Sequence, residues 1–176
     1  EESELNPLSI YARNKVKVEK HLLNKSSDLD FTILRCATAF GISPRLRFDL
    51  TVSEFCLQFY HNGTFAVRDQ DTYRPYCHVR AISAALLKVS ESKKELVSNQ
   101  DFNVGTTENN HTKKEIVDLI SKSLPGIAPV FVDGGGDKRD YRVSFSKIQA
   151  VLGFQCEYSV QQGVSELIHT LELGCF

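Results

Sequence analysis

The strongest constraint on the fold is residues 31–37, a β-rich run with turn-forming residues on both sides. A run that is apolar almost throughout, from Phe31 to Ala37, is typical of a strand covered on both faces, as in a parallel sheet. Further short strands are predicted around residues 65–67, 73–79, 102–104 and 129–132, with helices between them. This alternation predicts an α/β chain, in which only residues 31–37 and 102–104 have the pattern of main-sheet strands.

Helix starts are indicated by their capping residues. Asn6 followed by Pro7 predicts a helix that runs to about residue 24. Three further patterns predict capping boxes: Thr51 with Glu54, Thr112 with Glu115, and Ser159 with Gln162. Gly153 is expected to end a short helix that precedes the last one.

Composition narrows the function classes. The 176 residues carry a net charge of −1 with both signs interspersed, which argues against nucleic-acid partners or a membrane surface. No apolar run approaches the length of a membrane span. Five scattered cysteines without a CxxC pair suit the reducing cytoplasm and predict no metal site. Three N-x-S/T sequons, at Asn24, Asn62 and Asn110, are interpreted as chance occurrences.

Two short motifs suggest chemistry without proving it. Tyr11 and Lys15 are four residues apart on a predicted helix, so they share one face. An ammonium so close favours the phenolate and would let the pair exchange a proton near neutral pH, although a plain surface pair is the alternative. The three glycines of residues 133–137 are interpreted as a mobile loop, because no Lys-Ser/Thr follows as in a phosphate-binding loop.

Several segments that follow Tyr11 and Lys15 in order have family-like sequences. They are Thr32-Ile33-Leu34-Arg35-Cys36-Ala37-Thr38-Ala39-Phe40-Gly41, Arg74-Pro75-Tyr76-Cys77-His78-Val79, Phe102-Asn103-Val104-Gly105, Ser146-Lys147 and Leu152-Gly153-Phe154. Together they resemble the extended short-chain dehydrogenase/reductases that act on nucleotide sugars. The resemblance covers essentially the whole chain.

The resemblance implies a two-part architecture. It predicts the C-terminal portion of a Rossmann-type parallel sheet plus a smaller α+β substrate-binding lobe. Residues 1–41 would end the nucleotide-binding domain, and residues 42–176 would form the lobe, with roughly 100–122 returning to the main sheet. In that family a Gly-rich cofactor-binding half and a catalytic Ser or Thr precede the Tyr, so the chain is expected to be incomplete and inactive alone.

The resemblance also implies a set of site residues. Tyr11 would be the acid/base, with Lys15 lowering its pKa and binding the cofactor ribose. Cys36 and Thr38 match cofactor and sugar contacts, although a strand-end hydroxyl is the alternative for Thr38. The remaining matches are substrate-binding: Arg47 and Asp49 in a loop that closes over the nucleotide sugar, and Arg74 and Arg139 on its diphosphate. For Arg47, as for Arg142, a solvated surface arginine is the favoured interpretation.

Two residues near the predicted helix after Val79 are given structural interpretations. His78 is expected to be a core imidazole whose hydrogen bonds are satisfied by backbone, not a catalytic base. Ala81 stands where the family carries an Asp that can cap the next helix.

The functional hypothesis is an NAD(P)-dependent nucleotide-sugar epimerase or 4,6-dehydratase. NAD is favoured over NADP, and the full-length parent is expected to be a homodimer. One alternative is a non-catalytic nucleotide-sugar-binding or regulatory relative, and another is a truncated product with no independent activity.

Overall fold

Helices and strands alternate along residues 1–24, 29–136 and 139–175, which the computed structural model describes. In chain order they are α1 (Ile10–Asn24), β1 (Thr32–Cys36), β2 (Thr38–Phe40), α2 (Thr51–Asn62), β3 (Thr64–Arg68), β4 (Tyr73–His78), α3 (Val79–Glu91), α4 (Lys94–Val97), β5 (Gln100–Val104), β6 (Asn110–Thr112), α5 (Lys113–Ser123), β7 (Ala128–Val132), α6 (Ser146–Leu152) and α7 (Val160–Leu173). A single 3-10 turn, Thr107–Asn109, precedes β6.

The strands form small sheets that are mostly parallel. β1 pairs in parallel with β5, with Leu34 opposite Phe102, so both segments predicted as main-sheet strands form strands. β4 lies between β2, to which it is parallel, and β6, to which it is antiparallel. β3 and β7 form a third, parallel pair. The predicted α/β class is therefore confirmed, and β2 and β6 are strands that the sequence pattern did not reveal.

Two clusters of buried apolar residues stabilise the chain. The larger one lies where α2, α5 and α7 meet and contains Phe59, Ile120 and Leu167. The smaller one packs α3 and α6 against β5 around Phe102 and Ile148. Helix α1 contributes no buried residue to either cluster.

The helix caps correct two of the predictions. The boxes at Thr112 and Ser159 are present, with both reciprocal hydrogen bonds in each. Thr51 is instead the first residue of α2, because Leu50 takes the extended cap conformation and accepts the Glu54 amide at 2.8 Å. Helix α1 begins at Ile10, where the Ser9 hydroxyl accepts the Ala12 amide, so Asn6 is not its cap.

Candidate functional site

Tyr11 and Lys15 lie on one face of α1, as their spacing predicts. The Lys15 ammonium is 5.5 Å from the centroid of the Tyr11 ring, and the Tyr11 side chain is 73% exposed. Among the described residues no carboxylate forms an ion pair with Lys15.

Helix α1 is attached to the β1–β5 pair by charged side chains. Arg35 of β1 donates from Nε to Glu19 of α1 at 3.0 Å and lies 2.8 Å from Asp101 of β5, which also pairs with Lys147. The hydrogen bond to Glu19 raises the Arg35 pKa. Burial acts against the Asp101 carboxylate, but the Lys147 hydrogen bond and the Arg35 charge outweigh it and hold the Asp101 pKa below its usual range.

A cleft of about 710 Å³ opens beside the end of β1. Its walls are the segment of residues 1–9, the β1 end at Cys36 and Ala37, and the segment of residues 139–145. Burial raises the Cys36 pKa, so this thiol stays protonated at neutral pH. Thr38 of β2 is opposite Tyr76 of β4. Thr38 is not among the described residues that line the cleft.

Two contacts between a tyrosine ring and an arginine join residues 73–74 of β4 to residues 141–142. The Arg74 guanidinium lies 5.1 Å from the Tyr141 ring centroid, and the Arg142 guanidinium lies 4.9 Å from that of Tyr73. Arg74 is only 6% exposed and donates to the Tyr73 carbonyl at 2.6 Å, whereas Arg139 and Arg142 line the cleft. The structure therefore brings the segment of Arg139 beside that of Arg74 and adds Arg142, for which the sequence analysis favoured a surface position. The repeated Tyr-Arg dipeptide, at 73–74 and 141–142, is the signal that could have revealed it.

Arg47 and Asp49 lie outside this cleft, on an exposed loop. They pair with each other, with Arg47 Nε donating to Asp49 Oδ1 at 3.0 Å, which raises the Arg47 pKa and lowers the Asp49 pKa. Residues 45–49 and Glu54 line a more open depression of about 740 Å³.

His78 is a core residue, as expected, but only one of its nitrogens has a backbone partner. Its ring is 1% exposed, Nδ1 accepts the Arg80 amide, and Nε2 lies 2.8 Å from Glu166 of α7. His78 is thus the cap of α3, and Ala81 is a buried residue of the first turn. Because His78 caps α3, the helix does not need an Asp at position 81 as its cap.

The described part of the glycine-rich loop is anchored by a carboxylate. Asp69 accepts the Gly134 amide at 2.8 Å and the Gly136 amide at 2.9 Å. Two of the amides that a phosphate-binding loop would present therefore already donate to Asp69, in keeping with a loop that has no such function. The mobility prediction for residues 133–137 is not tested, and Asp137 lies outside the described residues.

Within residues 1–24, 29–136 and 139–175, no cluster of His, Cys, Asp or Glu is arranged to hold a metal ion. None of the helices found there is long and apolar enough to cross a membrane.

Comparisons with known proteins find relatives in sequence and in fold. CDP-abequose synthase of Salmonella typhimurium is 28% identical over 102 residues, which are 56% of this chain and 34% of that protein. UDP-glucose 4-epimerase of Thermotoga maritima, solved with UDP-glucose, superposes on 97% of the chain with a TM-score of 0.83 and 21% identity. dTDP-glucose 4,6-dehydratase of Bacillus anthracis, solved with NAD, superposes on 98% with a TM-score of 0.84 and 22% identity.

The chain spans only part of these relatives, 56% of the epimerase and 55% of the dehydratase. The family model described as the NAD dependent epimerase/dehydratase family matches residues 1–105, more than half of the chain. On the strength of that match, together with the parallel strand pairing and the Tyr11–Lys15 helix, the chain belongs to the NAD-dependent epimerase/dehydratase family.

Proposed function

We propose that the chain is the acid/base and substrate-binding portion of an NAD(P)-dependent nucleotide-sugar epimerase or 4,6-dehydratase. The observation that carries the proposal is the 710 Å³ cleft, which brings the β1 end at Cys36 together with Arg139 and Arg142. In this division residues 1–41 complete the nucleotide-binding domain and residues 42–176 form the substrate-binding lobe, with roughly 100–122 returning to the main sheet. The relatives named above, which act on CDP-, UDP- and dTDP-sugars, support a nucleotide sugar as the substrate.

In this proposal Tyr11 holds and moves the proton at the reacting sugar hydroxyl. Lys15, whose ammonium lies 5.5 Å from the Tyr11 ring centroid, would be the cationic partner of this phenol and would donate to the cofactor ribose. A bound nicotinamide, of NAD or NADP with NAD favoured, supplies the hydride-transfer chemistry. Cys36 and Thr38, on either side of the β1–β2 junction, would face the cofactor and the sugar.

The arginines would hold the diphosphate of the substrate. A guanidinium can donate two parallel hydrogen bonds to phosphate oxygens, and Arg139 and Arg142 are positioned to do so from one wall of the cleft. Arg74 would be the third arginine at the diphosphate; it is nearly buried against the Tyr141 ring and is not among the described residues that line the cleft. Arg47 and Asp49 would close over the nucleotide by exchanging their mutual pair for substrate contacts.

One observation favours the alternative of a non-catalytic nucleotide-sugar-binding or regulatory relative. Tyr11 is 73% exposed on a helix without a buried residue, so its phenol is not held in a dry site by the described residues. A binding function would need the arginines but not the acid/base pair.

The test is calorimetric titration of the chain with UDP-glucose, dTDP-glucose, CDP-glucose and, separately, NAD. We expect micromolar to millimolar binding of a sugar nucleotide, weakened by about 1.5 to 3 kcal/mol in Arg139→Ala, the value for a charged hydrogen bond. Arg13→Ala, which removes an exposed arginine of α1, is the matched control and should bind normally. Equal affinities of the wild-type and Arg139→Ala chains would remove Arg139 from the site.

Tyr11→Phe separates the two functions in a full-length parent enzyme. It is expected to abolish turnover and to leave sugar-nucleotide binding nearly unchanged, because only the proton-carrying oxygen is removed. Retained turnover would favour another acid/base group, and loss of binding would contradict the assigned role.

A further inference from the structure

The arginine-bearing segment 139–143 is fixed by a side chain that has no role in the proposed chemistry. Asn110 of β6 donates from Nδ2 to the Val143 carbonyl at 2.9 Å and accepts the Val143 amide on Oδ1 at 2.8 Å. The same Nδ2 donates to the Thr107 carbonyl at 2.8 Å. The Asn110 side chain therefore makes the two hydrogen bonds with the Val143 backbone that a neighbouring strand would otherwise make. It also bonds to the 3-10 turn at Thr107.

The position of Asn110 relates this segment to Arg74. Asn110 is opposite Pro75 in the antiparallel β4–β6 pairing, so it sits one register step from Arg74. Val143 directly follows Arg142, whose guanidinium lies over Tyr73. A second anchor acts at the other end of the segment, where Asp140 accepts the Tyr73 amide at 2.8 Å. The Asp140–Tyr73 and Asn110–Val143 hydrogen bonds together fix the position of residues 139–142 relative to β4.

We infer that Asn110 is a positioning residue, which holds Arg139 and Arg142 against the Arg74 segment so that the arginines face one diphosphate. This inference rests on the proposed function. Asn110 touches neither substrate nor cofactor in this arrangement, and it acts through the Val143 backbone. Asn110 is also the asparagine of an N-x-S/T sequon. Both polar atoms of its side chain already have protein partners, Nδ2 with the Thr107 carbonyl and Oδ1 with the Val143 amide.

The neighbouring residue supplies a matched control. Asn109 makes the same two-bond contact with a different segment, donating to the Tyr158 carbonyl at 2.9 Å and accepting the Val160 amide at 3.3 Å. It is 2% exposed and serves the start of α7, away from the arginines. Asn109→Ala thus removes an equivalent side-chain bridge, whereas only Asn110→Ala releases the arginine segment.

The experiment compares UDP-glucose affinities of the chain and its variants by calorimetry, at a temperature where circular dichroism shows each to be folded. We expect Asn110→Ala to weaken binding about tenfold and Asn109→Ala to change it less than threefold, even though Asn109→Ala lowers the melting temperature at least as much. Asn110→Asp keeps the acceptor for the Val143 amide but sets a carboxylate oxygen against the Val143 and Thr107 carbonyls, so it should not recover the affinity. In the background of Arg139→Ala plus Arg142→Ala, Asn110→Ala should have almost no further effect, because residues that act through one another are not additive.

The outcomes separate the inference from the proposed function. Unchanged affinity in Asn110→Ala, equal losses in the two asparagine variants, or full additivity with the arginine variants would each overturn the positioning role. If the wild-type chain does not bind UDP-glucose, or if Arg139→Ala and Arg142→Ala bind it normally, the proposed diphosphate site fails and the inference fails with it.

Discussion

Helices α1 and α7 have nearly the same length, 15 and 14 residues, but they pack in opposite ways. Helix α7 buries six residues against α2 and α5, and these include Val164, Leu167 and Leu171. None of the fifteen residues of α1 is buried, and Ile10 and Val18 are 77% and 59% exposed. The helix that carries the proposed acid/base pair is thus the one with the least apolar support.

The contrast shows that the two regions are stabilised by different forces. The lobe has its own apolar core, whose burial is worth roughly 25 cal/mol for each Å² removed from water. Helix α1 is joined to the β1–β5 pair through the Glu19–Arg35–Asp101 charges, and partly exposed ion pairs are worth only about 0–1 kcal/mol each. We therefore expect the lobe to resist perturbations that release α1.

The largest expected difference comes from one substitution made in both regions. Ile120→Ala in α5 should lower the free energy of unfolding by about 2–5 kcal/mol, because its fully buried side chain leaves a cavity. Ile10→Ala in α1 should change it by less than about 0.5 kcal/mol, as at other exposed positions. Urea unfolding of both variants measures the difference. Comparable losses would show that α1 is as well packed as the lobe and would break the comparison.

A smaller effect is expected for the charged contact that joins α7 to the cap of α3. Glu166→Ala removes the partner of the buried His78 Nε2, and about 1–3 kcal/mol of stability should be lost with it. The control is Glu172→Ala, which removes an exposed partner 3.6 Å from His169 and should cost about 0–0.5 kcal/mol. Thermal unfolding of the two variants is sufficient, and similar melting temperatures would mean that burial of His78 does not strengthen its contact with Glu166.

Lowering the pH until Asp101 is protonated is expected to have the smallest effect on global stability. The effect should be confined to α1. Because the folded-state Asp101 pKa is depressed, its stabilisation is complete above the unfolded value of about 3.9 and is lost as the pH falls through the lower folded value. Below about pH 4, amide-exchange protection should therefore fall in α1 before it falls in α7. Asp101→Asn should reproduce the loss in α1 at neutral pH, whereas Asp118→Asn, on the exposed face of α5, should not. A parallel loss of protection in both helices would contradict separate stabilisation.

Local sequence patterns predicted much of the fold correctly. The apolar run of residues 31–37 and the short run at 102–104 became paired parallel strands, and the boxes at Thr112 and Ser159 cap helices. The box at Thr51 failed because an N-cap is decided by backbone conformation, which Leu50 adopts one residue earlier. Strands β2 and β6, three residues each, are too short for any periodic pattern and exist only through their pairing with β4.

The sequence suggested which residues belong to the candidate site, but it did not predict how they are arranged in space. The resemblance led to the prediction that Arg74 and Arg139 hold the diphosphate, which stays a prediction, but no local signal placed Arg47 and Asp49 in a separate depression. Arg142 was interpreted as a surface residue, since its partner Tyr73 is 69 positions earlier in the sequence. The role of Asn110 depends on a contact with Val143, 33 positions later.

The sequence by itself determined what neighbouring residues encode: the α/β class, most helix and strand positions, the shared face of Tyr11 and Lys15, and, through its family-like segments, the family. Tertiary structure alone decided which distant groups meet, namely the cleft between Cys36 and Arg139, the reciprocal Tyr-Arg pairs, the His78–Glu166 contact and the anchoring of Gly134 by Asp69. The physical reason is that capping and periodicity depend on residues a few positions apart, whereas these contacts form only after strand pairing and core burial have fixed the backbone.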